Sequence, residues 1–156
     1  VGLAIVQMAA LEGIRSVALV RGGARVAWLE KELGSVHGLI SAVDILAPGW
    51  VDLAASLCGA GMGPEDFDSG ADAVADGIGG EVLVQIAEKL LRPHGTIITY
   101  GAVAGAPDQA ALEAVVTSKN LRTYQESVAS TLERDDAAHH FRMALDQMAV
   151  GKLRPV

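Results

Sequence analysis

The sequence predicts an α/β fold: a doubly wound parallel sheet with helices on both faces. Three observations carry it. Short apolar runs alternate with longer stretches of helical spacing along the whole chain. Among these runs, Ser16 to Arg21 is a short apolar stretch bounded by turn signals, as a strand covered on both faces requires. Three of them end in small residues, namely Arg21-Gly-Gly23, Asp76-Gly-Ile-Gly-Gly80 and Tyr100-Gly-Ala-Val-Ala-Gly105.

Taken in order, Val1 to Gly13 is apolar nearly all round and rich in alanine, a helix pressed on a sheet with Gly13 as its stop. Ser16 to Arg21 reads as a buried strand. Ala24 to Leu33 places Val26, Leu29 and Leu33 at helical spacing, and Gly34 ends it. Val36 to Ser41 reads as a strand and Gly49 to Cys58 as a helix. Gly59 to Gly70 is an irregular, acidic surface loop or insertion. Ala71 to Asp76 is a strand, Gly77 to Gly80 a turn, and Glu81 to Leu91 a helix. Pro93 and Gly95 mark a break before the clearest strand, Thr96 to Tyr100. Gly101 to Pro107 is a loop. Val115 to Leu121 leads into a strand near Leu121 to Tyr124, and a last helix, Asp136 to Val150, carries Phe141, Leu145 and Met148 on one face.

Composition narrows the function classes. The chain has 156 residues, 51% hydrophobic, and a net charge of −7 from 12 basic and 19 acidic residues, so it lacks the basic footprint of a nucleic-acid binder. The longest apolar stretches, Val1 to Val6 and Val17 to Val20, fall far short of a membrane span. One cysteine excludes a disulfide framework or a Cys-built zinc site. A single soluble domain over 1–156 is expected. Because Val1 to Ala10 reads as the interior of an element, that domain is expected to be a fragment of a longer protein.

In doubly wound sheets, ligands bind beyond the carboxyl ends of the strands. Glycines there let a backbone approach a ligand and leave amides free for phosphate or carbonyl groups. The residue that reads the adenosine ribose of a dinucleotide lies about 20 positions beyond the glycine turn. Arg21 lies 19 positions beyond Gly2, at a strand end. An acid there would bind the ribose hydroxyls of NAD, whereas arginine suits the extra phosphate of NADP. Arg25 can assist from the next helix, and the nearest following acid, Glu30, lies well inside that helix. Elsewhere, His139 and His140 diverge on a helix, His37 and His94 lack a second ligand at useful spacing, and Cys58, Trp28 and Trp50 read as packing residues. No metal site, nucleophile with a base, or general acid is evident, so no catalytic residue is assigned.

Several of these segments resemble one family. Val1-Gly-Leu-Ala-Ile-Val-Gln7 resembles the tail of the glycine-rich turn of medium-chain dehydrogenase/reductases, and within them the mitochondrial trans-2-enoyl-CoA reductases are most similar. The strand ending in Arg21, the Gly79-Gly80 turn and above all Thr96-Ile-Ile-Thr-Tyr-Gly101 carry the likeness. It implies a Rossmann-like NADP-binding domain whose first strand and N-terminal catalytic domain would precede Val1. It implies NADPH as cofactor, with Val1 and Gly2 near the pyrophosphate, Arg21 near the 2′-phosphate, and Gly79, Gly80, Tyr100 and Gly101 on the nicotinamide side. Its substrate would be an enoyl thioester of mitochondrial fatty acid synthesis. Its partner would be a second copy, paired through the edge strand near Leu121 to Tyr124. A quinone oxidoreductase of the same superfamily, or a non-catalytic nucleotide-binding fragment, is the alternative. Outside the enoyl reductases the expected location is cytoplasmic.

Overall fold

The computed structural model describes residues 1–33, 38–59, 69–125 and 137–153. In chain order these form α1 (Gly2–Leu11), β1 (Ser16–Val20), α2 (Gly23–Glu32), β2 (Ile40–Asp44), α3 (Trp50–Cys58), β3 (Ala71–Asp76), α4 (Gly80–Lys89), β4 (Leu91–Thr99), α5 (Gln109–Lys119), β5 (Arg122–Gln125) and α6 (Ala137–Ala149). Every strand pair is parallel, which brings the carboxyl ends of each sheet's strands to one edge of that sheet. The described strands form two sheets rather than the single one expected, β1-β2 and β3-β4-β5.

Helix α4 joins them. Its Leu83 and Ala87 pack with Leu91, Ile97 and Leu121 under α5, and its Ile86, with Leu90 at the C-cap, packs with Val43 and Ala54. Val17 and Leu19 of β1 and Val74 of β3 rest on the second cluster, so one helical layer covers both sheets. Strand alternation sends Ala18 and Val20 to the opposite face. There α1 packs on β1 and α2 on β2.

Local chemistry explains where the elements stop. Helix α1 closes as a Schellman motif, with Gly13 N–H donating to the Ala10 carbonyl at 3.1 Å and Ile14 N–H to that of Ala9 at 2.9 Å. Helix α5 begins at Asp108, whose carboxylate accepts from the amides of Ala110 and Ala111. It ends at Asn120 in the left-handed region.

Several elements differ from expectation. The second strand is Ile40–Asp44 rather than Val36 to Ser41; Val36 and His37 lie outside the described residues, as do 60–68 of the expected acidic loop. Pro93 and Gly95 do not end an element. Ala71 pairs with Leu91 and Ala73 with Thr96, so Arg92 to Gly95 bulge out of one long strand, β4. The region before Leu121 holds helix α5, which the sequence reading did not resolve. The apolar face of α6 is present as expected, with Phe141, Leu145 and Met148 all exposed.

One lysine ties α5 to the core. The Lys119 ammonium donates to the carbonyls of Ala87 at 3.1 Å, Glu88 at 2.6 Å and Leu91 at 2.6 Å, closing the C-terminal end of α4. Lys119→Met keeps the length and removes all three bonds. It is expected to lower stability by about 2 kcal/mol in urea unfolding with an unchanged m-value. An unchanged midpoint would mean that water replaces the ammonium at no cost.

Candidate functional site

The carboxyl ends of the strands carry Val20-Arg21 and Asp44 in the first sheet and Asp76 and Thr99-Tyr100 in the second. Two loops meet there as a unit. Val103 N–H donates to the Gly77 carbonyl at 3.3 Å, Ala104 N–H to that of Ile78 at 2.7 Å, and Gly80 N–H to that of Gly105 at 2.9 Å. Asp76, buried at 3% exposure, accepts from Ile78 N–H at 3.0 Å and Gly79 N–H at 2.9 Å. This corrects the expectation of free amides after β3, because those of Ile78, Gly79 and Gly80 all have partners within the protein. Gly79 and Gly80 are themselves buried. What they contribute is close approach of two backbones.

Tyr100 connects this unit to α1. A methyl group on Gly77 would meet its ring at 2.5 Å, and one on Gly2 would lie 3.2 Å from its hydroxyl. Gly101 sits over Gly77 in the same way, 3.2 Å from a Cβ at Gly101 to the Gly77 carbonyl oxygen. The start of α1, which has no side-chain cap, therefore faces the ends of β3 and β4 across a tyrosine hydroxyl. Burial pushes the Tyr100 phenol above its ordinary pKa, and the nearby Asp76 carboxylate adds to the shift, so the hydroxyl stays a neutral donor at physiological pH.

The expected site residues thus fall into two groups. Gly2, Gly79, Gly80, Tyr100 and Gly101 are brought together, with Val1 exposed beside Gly2. Arg21 and Arg25 stand at the end of β1 and in the first turn of α2; both are exposed, and neither makes an ion pair among the described residues. Helix α2 begins after Gly22 with no side-chain cap and no acid in its first turn, so its amide dipole and the two guanidiniums share one sign.

Two acids were missed by the sequence reading. Asp76 organises the loop after β3, and Asp44 reaches from β2 to Gly22 N–H at 2.8 Å. An Asp-Gly pair after a strand is a turn signal that could have singled out Asp76. No local signal marks Asp44. Among the described residues no cluster of His, Cys, Asp or Glu could hold a metal ion. The Cys58 thiol is pushed up by burial, with Arg15 opposing, which leaves it a poor nucleophile.

No protein-family model and no curated protein matches the chain by sequence. Solved structures do match by shape. An NAD-dependent alcohol dehydrogenase superposes with a TM-score of 0.72 at 21% identity, over 99% of this chain and 38% of its own. CurA from Vibrio vulnificus, solved with NADPH, gives 0.70 at 18% identity over 97% and 43%. A quinone oxidoreductase from Pseudomonas syringae pv. tomato DC3000 gives 0.74 at 16% identity over 98% and 43%. The chain has the Rossmann-like fold. At 16–21% identity the likeness to these three structures is one of fold. The chain spans about two fifths of the length of these three structures.

Proposed function

We propose that this chain is the NADPH-binding part of an oxidoreductase that reduces the 2,3 double bond of enoyl thioesters. The observation that carries the cofactor assignment is the pair of unpaired guanidiniums, Arg21 and Arg25, at the uncapped start of α2. Arginine binds phosphate through charge-assisted hydrogen bonds, and a helix N-terminus favours the same charge. The uncapped start of α1, with the neutral Tyr100 hydroxyl beside Gly2, is suited to a pyrophosphate. NADPH would supply the hydride. The residues of this chain hold and orient it, with Tyr100 and Gly101 toward its nicotinamide end.

The enoyl thioester rests on the resemblance of Thr96 to Gly101. Reduction of a quinone is the second reading, favoured by the quinone oxidoreductase among the structural neighbours. The first reading also places a second copy of the chain along the outer edge of β5, whose four residues are all exposed, and the enzyme in mitochondria.

Titration of the 156-residue chain with NADPH and NADH tests the cofactor assignment. Saturable binding of NADPH, tighter than that of NADH, is expected. Failure to bind either dinucleotide, or equal affinity for both, would overturn it.

A further inference from the structure

Asp44 is the last residue of β2 and pairs in register with Val20, the residue before Arg21. Its Oδ1 accepts from Gly22 N–H at 2.8 Å and from Leu46 N–H at 2.9 Å. Its Oδ2 has no protein partner among the described residues. Gly22 has φ +94°, a conformation that side-chain-bearing residues rarely adopt, and it is the one residue between Arg21 and α2. The carboxylate therefore fixes the turn that presents Arg21 and sets a negative charge beside it.

We propose that Asp44 is a second determinant of cofactor choice, opposing Arg21: its free oxygen accepts a ribose hydroxyl and disfavours a 2′-phosphate. The inference rests on the dinucleotide reading above. An arginine and a carboxylate at the same strand end pull in opposite directions. Arg21 stabilises a phosphate by charge-assisted hydrogen bonding, whereas Asp44 repels it and can accept from the neutral hydroxyl of NADH. The two acids of α2, Glu30 and Glu32, lie in its last turns, remote in sequence from Gly22. Asp44 is thus the carboxylate that bonds the turn itself.

Asp44→Asn separates charge from shape, since it keeps an acceptor for Gly22 N–H and loses the charge, and Asp44→Ser removes the charge with a shorter side chain. Dissociation constants for NADPH and NADH are measured for each variant and for the wild type, with circular dichroism confirming the fold. The preference for NADPH over NADH is expected to rise on the order of tenfold in both variants, a partly screened interaction of one charge. An unchanged or reduced preference would overturn the inference. If Arg21→Ala abolishes the preference while the Asp44 variants leave it alone, the dinucleotide reading stands and the role of Asp44 falls. If the wild type binds neither dinucleotide, both fall.

Discussion

Gly79→Ala is expected to cost about 3–5 kcal/mol, a large share of the stability of a domain this size. Two penalties combine. Gly79 has φ +71° and ψ −152°, a region populated essentially by glycine alone, so an L-residue there carries about 1–3 kcal/mol of strain. A methyl group would also lie 2.5 Å from the Gly105 carbonyl oxygen and 3.2 Å from the Ala102 Cα, both backbone atoms that no rotamer change can move. Relief requires the Gly101 to Gly105 loop to lift away, which breaks the bonds from Gly80 N–H to the Gly105 carbonyl and from Ala104 N–H to the Ile78 carbonyl. Chemical denaturation should show a lower midpoint, and proteolysis should cut first between Gly101 and Gly105. A variant with wild-type stability would mean that the two loops do not form the packed unit described above.

Arg21→Ala is expected to weaken NADPH binding by roughly 10- to 100-fold, the loss of one or two hydrogen bonds to a charged group, while NADH changes little. Because Arg21 is exposed and unpaired among the described residues, its removal leaves no buried group unsatisfied, and the melting temperature should hold. Arg25 stays in the first turn of α2 and limits the loss. Equal weakening of both cofactors would place Arg21 away from the 2′-phosphate. No weakening of either would remove it from the site.

These two residues show what a one-dimensional reading can and cannot see. The order of elements and the parallel sheet follow from apolar runs and glycine stops, and Arg21 stands out because its distance from Gly2 is a sequence quantity. The start of strand β4 is hidden in the sequence because Arg92-Pro-His-Gly95 carries the usual breakers. Pairing of Ala71 with Leu91 holds the chain in the sheet ahead of them. Strand β2 is weakly marked in the sequence because only Val43 in it is fully buried and Ser41 and Asp44 interrupt the apolar run. Helix α5 is faint in the sequence for a related reason. It buries no residue completely, and its one local signal is the cap, Asp108. The glycines after β3 stand out in the sequence as a turn, but what their amides bond to is not legible there. Whether an amide meets a ligand, a neighbouring loop or the Asp76 carboxylate depends on contacts between separate segments. Asp44 and Gly22 lie 22 residues apart and meet only through the register of β1 against β2.

Phosphorus NMR of NADPH in the presence of the chain tests the central claim most directly, because each phosphate reports separately. The account predicts that both pyrophosphate signals and the 2′-phosphate signal shift on binding to the wild type. With Arg21→Ala at saturating NADPH, the pyrophosphate signals should still shift and the 2′-phosphate signal should move most of the way back to its free position. A 2′-phosphate resonance that stays at its free position with the wild-type chain, while the pyrophosphate shifts, would contradict the assignment of this site to NADPH.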